Sequence, residues 1–97
     1  MFAVMAIQSF RGAETEALYR TGRSRRFGSI LKVALRKLDM LQAAMQLMDL
    51  RVPPANRLEG LKGDRAGQHS IRINDQWRVC FVWTDAGPKD VEIVDYH

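Results

Sequence analysis

A chain of 97 residues, 46% hydrophobic and 27% charged, has room for one small core, cannot house two, and is too apolar for wholesale disorder. Its formal charge is +4 and its pI about 9.7, a balance that favours polyanionic partners without requiring nucleic acid. The single cysteine, Cys80, excludes an internal disulfide, and the apolar opening Phe2-Ala3-Val4-Met5-Ala6-Ile7 is too short to cross a bilayer and lacks the basic region of a signal peptide, so a soluble cytoplasmic protein with no membrane association is expected.

Basicity is uneven. Residues 1–55 carry nine Lys and Arg against four acids, whereas residues 56–97 carry six against seven. Ile7 and Phe10 suggest a short first strand over about Ala6–Phe10. From Gly12 to Thr21 a short helix is predicted, with Ala13, Ala17 and Leu18 apolar and Glu14 and Glu16 favourably near its N-terminus. Gly22-Arg23-Ser24-Arg25-Arg26 is a basic connection. A long second helix over about Phe27–Leu50 is predicted from the spacing of Leu31, Ala34, Leu35, Leu38, Leu41, Met45 and Met48, a stripe expected to pack on a sheet. Pro53-Pro54 ends it and enforces an extended link.

The period then changes from helical to alternating. Gln68, Ser70 and Arg72 fall on one face, with His69, Ile71 and Ile73 on the other. Asn74-Asp75-Gln76 is a tight turn into a strand over Trp77–Thr84, in which Trp77, Val79, Phe81 and Trp83 alternate with Arg78, Cys80 and Val82. Asp85-Ala86-Gly87-Pro88 turns the chain again, and Val91, Ile93 and Val94 build a last strand. The expected fold is α+β, one domain over residues 1–97, with two helices on one face of a small, mainly antiparallel sheet.

Candidate chemistry lies in the second half. Arg72 and Arg78 sit on adjacent strands joined by a short turn. Two guanidiniums on one sheet face repel unless an anion lies between them, and a phosphate suits their fork. The pattern alone favours the plainer alternative, in which each cation faces solvent and pairs with Asp75 or Glu92. Leu61-Lys62-Gly63-Asp64-Arg65 is a glycine-containing loop that suits a phosphate as well as it suits an ordinary solvated turn. The chain stops on Asp95-Tyr96-His97, a carboxylate, a phenol and an imidazole. Imidazoles titrate near pH ~6.5, although a histidine at a chain end is commonly frayed and idle. His69 reads as a wall of the sheet. Neither a zinc-ligand spacing nor a P-loop or dinucleotide fingerprint is present, so no metal and no cofactor are expected.

Read together, Arg57-Leu58-Glu59-Gly60-Leu61-Lys62-Gly63-Asp64-Arg65-Ala66-Gly67, Ser70-Ile71, Trp77-Arg78 and Asp95-Tyr96-His97 resemble the HigB toxins of the RelE superfamily of type II toxin–antitoxin systems. The GraT-type group, also labelled plasmid maintenance system killer proteins, is the branch it looks most like. The likeness runs from about Ala6 onward and includes Ile7-Gln8-Ser9-Phe10. It implies a microbial-RNase fold and a ribosome-dependent mRNA endonuclease that cuts codons in the A site of the 70S ribosome. It also implies a HigA-like helix-turn-helix antitoxin, through which alone the toxin meets operator DNA.

Residue by residue, Lys62 matches the family's loop lysine and Asp95, Tyr96 and His97 its terminal catalytic trio. Arg78 matches the arginine on the scissile phosphate, and Arg72 falls where RelE places a lysine. Where familiar HigB chains have a histidine three residues before the loop lysine, this one has Glu59. The first five residues exceed the family pattern, either as a misassigned start with Met5 as the true one or as an extension of the first strand.

The expected chemistry is metal-independent transesterification, with Arg78 and Lys62 stabilising phosphorane charge, assisted by Arg72 and with Arg65 nearby. His97 transfers protons, Tyr96 stacks on or positions a base, and Asp95 orients His97. Arg23, Arg25 and Arg26 meet ribosomal RNA. A ParE-like inhibitor of DNA gyrase on the same scaffold is the alternative.

Overall fold

The computed structural model describes residues 6–96; the first five residues and His97 lie outside the described residues. The helical half comprises α1 (Ala13–Thr21) and α2 (Leu31–Ala43). The sheet comprises β1 (Glu59–Gly60), β2 (His69–Arg72), β3 (Trp77–Thr84) and β4 (Gly87–Asp95), hydrogen-bonded in that order and antiparallel throughout.

Helix α1 begins one residue later than expected and ends on Gly22, whose φ of 71° lets its N–H return to the Leu18 carbonyl. Its Leu18 meets Phe27, Ile30, Ala34, Leu38, Leu41 and Leu50 in one buried cluster. Ile71, Val79, Phe81, Val91 and Ile93 face that cluster from the sheet. Each fully buried Leu, Ile or Phe of this set contributes about 2 kcal/mol through removal of apolar surface from water. Thr15, also buried, accepts the Ile93 N–H on its Oγ1 at 3.0 Å, which ties α1 to the outer strand.

Three expectations need correction. The helix expected over 27–50 is three pieces: a 3₁₀ turn at Gly28–Ile30, then α2, then a 3₁₀ turn at Leu47–Arg51. Ala44 leaves the helical region at ψ 130°, and the Asp49 carboxylate accepts the N–H groups of Met45 at 2.9 Å and Gln46 at 3.1 Å. Those two bonds hold the Asp49 carboxyl below its ordinary pKa. The break turns Leu50 into the core and leaves Met45 64% and Met48 54% exposed, so these two do not pack on the sheet.

The first strand shrinks to a single parallel bridge between Phe10 and Val91, flanked by the bonds Gln8 N–H to Pro88 O at 2.7 Å and Arg11 N–H to Val91 O at 3.0 Å. Gly87 is required where this segment passes, because a β-carbon there would collide with the Ala6 carbonyl. The sheet also gains β1, which the sequence pattern did not suggest. Pairing Glu59 with Ser70, it brings Glu59 onto the sheet.

Strands β2 and β3 fall where alternation placed them, while β4 begins at Gly87, so Gly87 and Pro88 of the expected turn pair with Thr84 and Trp83 instead. Asn74 makes the turn between β2 and β3 by accepting the N–H groups of Gln76 and Trp77 on its Oδ1, both at 2.8 Å. At the next turn Thr84 Oγ1 donates to the Gly87 carbonyl at 2.6 Å and accepts the Ala86 N–H at 3.1 Å.

Candidate active site

Residues opposite one another in an antiparallel pair share a face. The registers Glu59–Ser70, Ser70–Cys80, Arg72–Arg78 and Cys80–Glu92 therefore place one polar set on the face away from the helices. Arg78 is at its centre. Its Nη1 lies 3.2 Å from Glu59 Oε1, donates to Ser70 Oγ at 2.9 Å and reaches the Arg57 carbonyl at 3.4 Å. The ring of Tyr96 lies over its Cζ at 5.4 Å, a cation–π contact. With a side chain only 14% exposed, Arg78 is held from four sides while its partner Glu59 is 47% exposed.

Tyr96 reaches this position because the end of β4 is anchored to the turn between β2 and β3. Its N–H donates to the Gln76 carbonyl at 2.7 Å, and Gln76 Nε2 donates to Asp95 Oδ2 at 3.1 Å. Tyr96, Glu59 and Arg78 thus converge, whereas Asp95, opposite Trp77 in the register, falls on the other face and meets Gln76 at the sheet's end; the chain passes from Tyr96 into His97, which lies outside the described residues.

Arg72 is engaged outside this centre. Although directly across from Arg78, it pairs with Asp75, as the plainer sequence reading had it. Arg65 pairs with Glu92 at 3.6 Å and with Gln68 Oε1 at 3.0 Å. Lys62 is exposed at the start of the 3₁₀ turn Gly63–Arg65, three residues along from Glu59. Beneath these pairs lies Cys80, fully buried, whose thiol burial pushes above its ordinary pKa; it stays an uncharged packing residue. His69 is half-buried on the opposite face with its ring stacked on Phe81 at 6.3 Å, a wall residue as expected.

The basic connection sits at the same end of the sheet. Arg23 and Arg25 are exposed, while Arg26 pairs with Glu14 at 2.7 Å. The next residue, Phe27, packs edge-on against Trp77 at 5.4 Å, and Trp77 precedes Arg78.

Sequence reasoning gave no role to Ser70, Gln76 or the Arg57 carbonyl. Ser70 and Arg57 lie inside the family-like blocks, so a signal existed. Their contact with Arg78 depends on strand register and on the left-handed backbone of Arg57 (φ 46°, ψ 54°), which no motif displays. Among the described residues no group of three His, Cys, Asp or Glu could hold a metal ion, and no helix is long and apolar enough to cross a membrane.

Two helices on one face of a small antiparallel sheet, with a face of paired arginines and carboxylates opposite, make a RelE-like toxin fold. Solved structures share it. The YoeB dimer from Staphylococcus aureus superposes with a TM-score of 0.57 at 22% identity, over 98% of this chain and 99% of that one. The YoeB–YefM complex from the same organism gives 0.55 at 21% identity, over 94% of this chain and 97% of that one. A family model described as RelE-like toxin of type II toxin–antitoxin system HigB matches residues 8–97. Toxin HigB-1 of Vibrio cholerae is 41% identical over 83 residues, which is 84% of this chain and 86% of that protein. The chain belongs to the HigB-like toxin family. It is the toxin half of a type II toxin–antitoxin pair and has an antitoxin partner, and the gyrase-inhibitor alternative is not favoured.

Proposed function

We propose that this toxin is a ribosome-dependent mRNA interferase, cutting codons in the A site of the 70S ribosome by metal-independent transesterification, and that a HigA-like antitoxin neutralises it and carries it to operator DNA. The observation that carries this reading is the setting of Arg78. Its guanidinium is oriented by Ser70 and the Arg57 carbonyl, capped by Tyr96 and balanced by one half-exposed carboxylate, Glu59, that an incoming phosphate can displace.

In the reaction the ribose 2′-oxygen attacks the neighbouring phosphorus, the 2′-O–P bond forms and the P–O5′ bond breaks. The products are a 2′,3′-cyclic phosphate and a 5′-hydroxyl. The 2′-hydroxyl proton leaves to a base and the 5′-oxygen takes one up. His97 is assigned this proton transfer, since among the side chains of the terminal trio only an imidazole exchanges protons readily near neutral pH. Arg78, with Lys62 approaching from the exposed loop, stabilises the extra negative charge on the phosphorane oxygens. One well-placed donor of this kind is worth roughly 3 kcal/mol. Tyr96, an exposed residue, offers its ring as a stacking surface for a base. Asp95, which accepts from Gln76 Nε2 at 3.1 Å, is assigned the role of orienting His97.

Glu59 stands where familiar HigB chains have a histidine. On this reading it is a counter-ion, and the acid–base work stays with His97. Arg72 and Arg65, each paired to a carboxylate, supply field and contacts at the rim, and Arg23, Arg25 and Arg26 meet ribosomal RNA.

The test is to add the purified toxin to programmed 70S ribosomes and map the message ends. A-site cuts bearing 5′-hydroxyl ends support the reading. Intact message at toxin concentrations that stop growth when expressed would overturn it.

A further inference from the structure

Arg51, Pro54, Arg57 and Leu58 line an open cavity of about 310 Å³ beside the candidate active site. The arginines of the described ion pairs are Arg20, Arg26, Arg65, Arg72 and Arg78. Among the described residues neither Arg51 nor Arg57 is matched to a carboxylate, so two exposed arginines without a described counter-ion line the cavity.

The cavity is built rather than incidental. Asn56, fully buried, donates from Nδ2 to the Leu50 carbonyl at 3.1 Å and accepts the Lys37 ammonium on its Oδ1. Arg57 comes next, in the left-handed region, uncommon for a long side chain and tolerated where the surroundings fix it. The Arg57 N–H returns to Pro54 O at 3.0 Å and its carbonyl accepts from Arg78 Nη1 at 3.4 Å. One residue thus turns its carbonyl to the arginine of the candidate active site and also lines the cavity. Beside them, Arg51 Nη1 touches Met48 Sδ at 3.9 Å, and Met48 and Val52 are 54% and 73% exposed. Two arginines without a carboxylate partner among the described residues, next to exposed Met48 and Val52, suit a nucleotide, with its phosphate on the guanidiniums and its base against the apolar surface.

We propose that Arg51 and Arg57 form a second phosphodiester subsite, which holds a phosphate of the message flanking the scissile one at Arg78. This rests on the mRNA-cleaving reading. An acidic protein segment would also answer two cations, but contact through Arg57 with Arg78 favours the strand that must reach Arg78.

The experiment is a chemical double-mutant cycle on programmed ribosomes. Messages carry one neutral methylphosphonate at each linkage around the cut in turn, and each is cleaved by wild type, Arg51→Ala and Arg57→Gln, with thermal melts confirming the fold. At one flanking linkage, neutralisation is expected to slow wild type about tenfold and the two variants hardly at all, the loss of one charge-assisted contact. Equal slowing of wild type and variants at every linkage would overturn the subsite, whether the variants cleave normally or poorly, and would leave the nuclease standing. Poor cleavage with such additive penalties would assign the two arginines to the ribosome. Failure of wild type to cut unmodified message would sink both readings together.

Discussion

Arg72 and Arg78 stand directly opposite each other on β2 and β3, yet their guanidiniums are held by different carboxylates, Arg72 by Asp75 in the turn and Arg78 by Glu59 on β1 at 3.2 Å. Like charges facing across two strands destabilise a sheet unless neutralised. The split therefore serves folding, and on the proposed reading it also separates the two cations by role. Arg72 belongs to the turn, whereas Arg78 belongs to the site beneath Tyr96.

Glu59 occupies the guanidinium face that a phosphate would need. Replacing it with Gln removes the competing charge while keeping shape. Glu59→Gln is expected to lower the KM for ribosome-bound message several-fold, with kcat within about threefold of wild type. A loss of a hundredfold in kcat would make Glu59 the proton-transfer group instead.

The bond from the Ile93 N–H to Thr15 Oγ1 is the buried polar link between α1 and β4. Thr15→Val keeps the volume and leaves that N–H unpaired, at a cost of about 1–3 kcal/mol. For a domain of this size a melting-temperature fall of roughly 5 °C or more is expected. A calorimetric scan checks it, and an unchanged melting temperature would mean that water replaces the hydroxyl.

Lys37 is 4% exposed, with Asn56 Oδ1 as its hydrogen-bond acceptor. Burial first, then the charges of Arg36 and Arg72, push its ammonium below the ordinary value of 10.5. The unfolded chain consequently binds more protons between the folded pKa and 10.5. Stability from this group rises with pH across that window, and the penalty is full below it. Denaturant titrations on the alkaline side are expected to show a rising slope in the stability of wild type relative to Lys37→Met. Parallel curves would show that the lysine is not desolvated.

Alternation made β2, β3 and the turn at Asn74 legible, because buried and exposed residues must interleave on a sheet with one covered face. The end of α2 was not legible. Ala43, Ala44, Met45, Gln46, Leu47 and Met48 are mostly good helix formers in helical spacing. What stops the helix is the Asp49 carboxylate taking two backbone N–H groups and Leu50 turning inward, a tertiary override of propensity. In the site, Arg78, Glu59 and Tyr96 came from the family-like blocks and the structure draws these three together, while Asp95, from the same blocks, lies opposite Trp77 and bonds to Gln76. Arg72 and Arg65 were named with them but are engaged by Asp75 and Glu92. The Ser70 hydroxyl and the Arg57 carbonyl depend on register and on one left-handed residue, which a linear motif does not encode.

The most direct measurement is single-turnover cleavage of ribosome-bound message by Arg78→Ala and Arg72→Ala, each shown to be folded. If Arg78 holds the scissile phosphate, its loss slows cleavage by roughly a hundredfold or more, whereas loss of Arg72 slows it less than about tenfold. Equal effects of the two substitutions, or full activity without Arg78, would contradict an active site centred on Arg78.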